Sequence, residues 1–360
     1  MRKLTVWLLL GAIVLYLFGC GAEASQPTAP QLKAVAAPEA SAPTEAAPLE
    51  GSLFLKVSSI NLSLVGDSED IYLGMIPREL VSWESDDPSI ISVENGVLTA
   101  TGTGTTTIRA SYYDRQVTCT AGCLAETQKE LDALGFDVLC QPKRVPPYVD
   151  LSTSCTYFDN AALIGDSITY MLIQRESMGN YLGDILFMAR GGTSLNGFVL
   201  HFKNIYFQGS EMYLEDAIAQ SKVERIYVLI GSNDIGDEAQ RAVFMKNWDI
   251  MLERIREKSP DVEIVIISNV PQYSGNYNAP DSFFTQYNSM IAAYNGKLRQ
   301  FCAENGCMYL DLCYYIEDHC GRMAEKYNLD GYHFNDVGYD VWMTVMRYYA
   351  QYELEGGTLS

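Results

Sequence analysis

The spacing of hydrophobic positions changes several times along the chain. After an apolar run over residues 4–18, residues 21–50 are rich in Ala, Pro, Glu, Ser and Thr with no apolar period. Such a segment cannot bury enough surface to fold and is expected to act as an extended tether. Over 51–122 short β-branched runs (53–57, 60–65, 81–83, 90–93, 97–101 and 105–110) are separated by turn residues, which predicts a small all-β sandwich. Asn95-Gly96 between two of these runs predicts a hairpin, because both residues tolerate positive φ. Residues 124–135 fit a short helix stopped by Gly135, and the Pro-rich stretch 141–148 then breaks regular structure, so 123–155 reads as a connector. From 156 the apolar runs ending at 165, 188, 230, 267 and 312 are short and continuous, as in strands buried on both faces of a parallel sheet. Helical patterns alternate with them: Phe244, Trp248, Met251 and Ile255 fall on one face, as do Val337, Val341 and Val345. This alternation predicts a three-layer α/β domain over 156–360.

Composition sharpens the picture in three ways. With 360 residues, 48% of them hydrophobic, the chain is long enough for two cores. A formal charge of −20 with no long basic run disfavours a nucleic-acid partner. Arg2 and Lys3 precede the apolar run and Gly19-Cys20 follows it, which is the layout of an export signal over 1–20; the run is shorter than the ~20 residues a membrane span needs. An uncleaved anchor is the alternative, and either way the remainder is expected outside the cytoplasm. The eight cysteines at 119, 123, 140, 155, 302, 307, 313 and 320 contain no paired Cys-x-x-Cys pattern. They read as structural thiols or disulfides rather than metal ligands, with connectivity left open.

Active sites in parallel α/β sheets gather at the carboxyl ends of the strands. At the first such end, Gly165-Asp166-Ser167 puts Ser167 at a helix N-terminus, where free backbone N–H groups can stabilise an oxyanion; the triplet also suits an ordinary cap. The second end reads Ala189-Arg190-Gly191-Gly192-Thr193, where glycine allows close approach of the backbone. The third reads Gly231-Ser232-Asn233-Asp234; Asn233 could donate to a developing negative charge or simply cap the next helix. Before the last helix stand Asp330 and His333, a spacing that can bring a carboxylate onto an imidazole. His201 and His319, the other two histidines, lack a comparable setting and read as surface or structural residues.

These four segments, in this order, resemble the SGNH or GDSL hydrolase family over about 156–352. The resemblance implies a flavodoxin-like α/β/α domain with Ser167 as nucleophile, Gly191 and Asn233 as oxyanion donors, His333 as base and Asp330 as its orienter, and it requires no metal or organic cofactor. Ile168, Arg190 and Phe334 depart from common family residues and bear on substrate more than on mechanism. The Gly-x-Ser-x-Gly elbow of the α/β-hydrolases is absent. The string VSWESDDPSIISVENGVLTATGTGTTTIRASY resembles a bacterial group-2 Ig-like domain, and the Gly-Cys ending resembles a bacterial lipoprotein signal with Cys20 lipidated. Together these imply an extracytoplasmic, membrane-anchored serine esterase. Its expected substrate is a short acyl ester, such as an acetylated polysaccharide or cell-wall glycan, with the aromatic loop 270–284 available to stack on sugar. An O-acyltransferase using the same acyl-enzyme is one alternative. A surface-binding lipoprotein with a vestigial hydrolase domain is another, against which intact Ser167, Asp330 and His333 argue.

Overall fold

The structure, a computed structural model, describes residues 55–354 except 75, 154 and 274–282. The signal with Cys20, the tether and most of the aromatic loop 270–284 lie outside the described residues.

The chain begins with β1 (Ser59–Leu64), β2 (Ser68–Asp70), β3 (Ser82–Ser85), β4 (Ile91–Glu94), β5 (Val97–Ala100), β6 (Gly104–Tyr112) and β7 (Arg115–Ala125). Asn95 and Gly96 have φ of 48° and 75° and join β4 to β5 as the expected hairpin, with Glu94 opposite Val97. Strand β7 extends three residues past the expected boundary at 122. The helix that follows, α1 (Gln128–Ala133), is short and starts with a capping box between Thr127 and Glu130. After α2 (Phe136–Leu139) comes β8 (Arg144–Val145), inside the stretch expected to be irregular, and it pairs antiparallel with β1. Its flanking prolines remove donors, but the pairing uses acceptors: Ser58 N–H donates to Val145 O at 3.0 Å and Asn61 N–H to Lys143 O at 2.9 Å. One sheet runs β3-β6-β7-β1-β8 and the other β2-β5-β4.

The second region runs β9 (Ala161–Gly165), α3 (Ser167–Gly179), β10 (Leu186–Ala189), α4 (Leu195–Val199), β11 (Ile205–Phe207), β12 (Ser210–Met212), α5 (Leu214–Ser221), β13 (Arg225–Leu229), α6 (Ser232–Ile235), α7 (Glu238–Lys258), β14 (Glu263–Ile267), α8 (Phe283–Asn305), β15 (Met308–Leu310), α9 (Cys313–Ile316) and α10 (Asp336–Leu354). Its sheet has the order β10-β9-β13-β14-β15 with every neighbour parallel. Because strand side chains alternate between faces, Leu163, Leu229 and Ile267 enter one core, and Ile164, Val228 and Ile266 enter another. Helix α7 buries Phe244, Trp248, Met251 and Ile255 as expected. Helix α10 departs from expectation only in its first turn, where Val337 is 50% exposed; Val345 is buried and Val341 packs against the same core, and Tyr339, Trp342, Met343 and Met346 complete the buried face.

The core that holds Leu163 is continuous with the buried residues of the β region, Ile60, Leu62 and Ile108 among them. Buried Arg144 donates to Glu69 Oε2 at 2.7 Å and lies 4.0 Å from the centre of the Tyr314 ring, while Tyr315 donates to Lys56 O at 3.1 Å. All eight described cysteines are free thiols.

Candidate active site

Reversal of strand order between β9 and β13 opens a crevice at the carboxyl edge of the sheet. There β9 turns into α3 through Gly165-Asp166-Ser167. Gly165 is required by space: a Cβ on it would lie 2.0 Å from Thr169 Oγ1 and 2.6 Å from Leu229 O. Ser167 opens α3, so its N–H has no partner within the helix.

Ser167 Oγ lies 2.9 Å from His333 Nε2, and His333 Nδ1 lies 2.8 Å from Asp330 Oδ2. The other carboxylate oxygen of Asp330 accepts from the N–H groups of Tyr332 (3.0 Å) and His333 (2.9 Å), so the acid is fixed by the loop that carries its histidine. Burial pushes the Asp330 carboxyl up, but hydrogen bonds from the His333 ring and from both N–H groups outweigh it and hold it below its ordinary value.

Gly191 sits in a tight turn closed by Thr193 N–H donating to Arg190 O at 3.2 Å, with Gly192 at φ 74°, a conformation side chains resist. A Cβ on Gly191 would lie 4.0 Å from Ser167 Cβ, and the Gly191 N–H has no partner among the described residues. Asn233 caps no helix: α6 has no side-chain cap, and the Asn233 amide donates to Thr193 O at 2.8 Å. A second, longer hydrogen bond runs from the same amide to Asp166 Oδ2 at 3.5 Å, so this donor is weakly held beside the cavity. Ser167, Asn233 and His333 line one cavity of about 400 Å³, closed by Ile168, Val270, Gln272, Tyr287 and Tyr332.

Sequence reasoning missed two aspartates that frame this cavity. Asp166 is fully buried, accepts from Ile168 N–H at 2.9 Å and from the Ser232 hydroxyl, and has its carboxyl pushed up by burial against those bonds and nearby His333. Asp234 is likewise buried and pushed up to about 6 by burial, against the Asn196 and Leu195 N–H groups that it accepts. An acid beside each candidate residue, at an apolar strand end with no cation near it in sequence, is the signal that could have marked them.

The remaining histidines lie elsewhere. His201 Nε2 is 2.7 Å from Glu215, with its ring stacked on Tyr213 at 3.8 Å. His319 meets Ser63 Oγ at 3.1 Å and is pulled down to about 4 by burial, then by Lys143 and Arg144. Arg190 pairs with Glu211 at 3.1 Å on the exposed hairpin β11–β12, while Phe334 is a core residue packed edge-on against Tyr339. Among the described residues no group of three or more His, Cys, Asp or Glu could hold a metal ion.

Residues 163–341 match the GDSL-like Lipase/Acylhydrolase family. No curated protein matches the chain. Solved structures similar to it include a candidate platelet activating factor from Streptococcus pneumonia, 19% identical, covering 53% of this chain and 83% of that one with a TM-score of 0.43. A GDSL-like lipase from Bacteroides thetaiotaomicron is 12% identical, covering 53% and 87% with a TM-score of 0.40. A carbohydrate esterase family 3 protein from Talaromyces cellulolyticus is 14% identical, covering 52% and 93% with a TM-score of 0.37. The family match and a serine hydrogen-bonded to a histidine at the crevice lead to one conclusion: the chain carries a domain of the GDSL-like lipase/acylhydrolase family and is a serine ester hydrolase.

Proposed function

We propose that Ser167 is the nucleophile of an exported, lipid-anchored esterase that cleaves short acyl esters, with carbohydrate-linked esters as the favoured class. The observation that carries the catalytic part is the continuous chain from Ser167 Oγ to His333 at 2.9 Å and from His333 to Asp330 at 2.8 Å. A neutral serine hydroxyl is a weak nucleophile, so His333 Nε2 takes its proton as Oγ attacks the acyl carbon, while Asp330 keeps the other ring nitrogen protonated and the imidazole oriented. The carbonyl oxygen becomes an oxyanion facing the N–H groups of Ser167 and Gly191 and the Asn233 amide. As it collapses, His333 returns the proton to the leaving alcohol. Water then attacks the acyl-enzyme, gives its proton to His333, and releases the acid and the Ser167 hydroxyl.

The substrate side is tested by product analysis on acetylated polysaccharides and lysophospholipids, with and without a competing acceptor sugar. Acetate released from polysaccharide is expected. Acylated sugar in place of free acid would identify a transferase, and turnover confined to the lysophospholipid would overturn the carbohydrate assignment. Export and anchoring rest on the sequence of residues 1–20. Replacing Cys20 with Ser should move the protein from the membrane to the soluble fraction, and continued sedimentation with membranes, residues 1–20 still attached, would favour an uncleaved helix.

A further inference from the structure

Asn233 and its neighbour Asp234 both reach across to one short segment. The Asn233 amide donates to Thr193 O at 2.8 Å, and the Asp234 carboxylate accepts from Leu195 N–H at 2.8 Å and Asn196 N–H at 2.9 Å, one on each oxygen. This segment leads directly out of the turn that holds Gly191. Three hydrogen bonds therefore tie the loop of one proposed oxyanion donor to the helix that carries the other.

We propose that Asp234 is a positioning residue for the oxyanion hole, its fork of two backbone N–H groups fixing the Gly191 turn relative to Asn233. The inference rests on the roles proposed above for Gly191 and Asn233. Asp234 is 1% exposed and does not line the cavity, so it acts through its neighbours and not on the substrate. Ser194 Oγ accepts from Gly197 N–H at 3.0 Å and caps α4 from within its own segment, whereas Asp234 takes the Leu195 and Asn196 N–H groups from a different helix. What Asp234 adds is the tie between α4 and α6. Burying a carboxylate is a costly way to gain stability alone. An amide of the same shape offers one acceptor oxygen where the fork needs two.

The test compares kcat and KM on a simple aryl acetate for the full chain and for Asp234→Asn, Asn233→Ala and the double variant. Displacing the Gly191 turn from Asn233 should lower kcat of Asp234→Asn by ~10–100-fold with KM within a few-fold, since small misplacements in an active site cost rates of that order. The double variant should lose clearly less than the product of the two single losses, because both act on one constellation. Multiplicative losses, or an Asp234→Asn protein that melts lower yet turns over as wild type, would overturn the proposal. If Asn233→Ala keeps its turnover, the oxyanion-hole reading falls and this inference with it; if Asn233→Ala fails but Asp234→Asn does not, this inference alone falls. A second measurement needs no variant. The amide hydrogens of Leu195 and Asn196 lie in the first turn of α4, where helices leave N–H groups without internal partners, so rapid hydrogen exchange there would also refute the fork, and slow exchange is expected.

Discussion

The loop 330–333 and helix α6 each place an aspartate next to a residue that lines the cavity, Asp330 beside His333 and Asp234 beside Asn233, and treat it in opposite ways. Asp330, with a side chain 49% exposed, is held below its ordinary pKa once hydrogen bonds outweigh burial. Asp234, buried and facing two N–H groups, is pushed up to about 6 because burial outweighs them. At the rim, water screens the charge, and the carboxylate has only to orient a ring. Beneath the floor no water does so, and the charge is tolerated for the geometry that it imposes.

The largest expected effect removes the group that both regions serve. Ser167→Ala should lower kcat by ~10⁵–10⁶, and a serine-directed phosphonate should label only the wild type; labelling of the variant would exclude Ser167 as nucleophile. At the rim, Asp330→Asn should lower kcat by about 10³, somewhat less than for a fully buried orienting acid, because water reaches Asp330. Turnover within five-fold of wild type would show that the loop backbone alone orients His333. At the floor, Asn233→Ala should lower kcat by ~10²–10³ with little change in KM and little change in melting, and the opposite pattern would return Asn233 to a structural role.

The smallest effect probes the contrast itself. A folded-state pKa of about 6, above the unfolded value near 3.8, means that Asp234 supports folding most fully at low pH and loses that contribution as pH rises through about 6. Asp234→Asn has no such titration. The melting temperature of wild type minus that of the variant should therefore fall by a few degrees, roughly 2–5 °C, between pH 5 and 7.5. A gap that stays constant across this range would mean that the carboxylate is no harder to ionise in the folded chain than in the unfolded one.

Legibility in the sequence followed burial. The five parallel strands could be read because both faces are covered, leaving runs such as Ala161–Gly165 apolar throughout. Strand β7 could not, because exposed Gln116, Thr118 and Thr120 alternate with Val117, Cys119 and Ala121 and leave no continuous β-branched run to detect. Strand β8 was hidden because the prolines on either side of it suggested a breaker, whereas Val145 O and the adjacent Lys143 O accept hydrogen bonds from the β1 side. The hairpin β11–β12 turns on Gln208 and Gly209, both at positive φ, a weaker signal than the Asn-Gly pair at 95 and 96. Ser167 could be read as a candidate because a short motif at the end of β9 carries it, and Asp330 and His333 because their three-residue spacing stands just before the last helix. Gln272 and Tyr287 could not, because they reach the cavity from separate segments and have no local pattern.

The core shared by the β region and the α/β region has a consequence for any ligand that the β region holds. Two modules joined by a flexible linker present a captured ligand at a concentration set by linker length. Here buried Arg144, the Tyr315 bond to Lys56 O and a continuous apolar cluster replace the linker. A polymer gripped by the β region would meet Ser167 at a fixed reach along its length, like a ruler with one mark. Product spacing along that polymer would then record the distance between grip and blade.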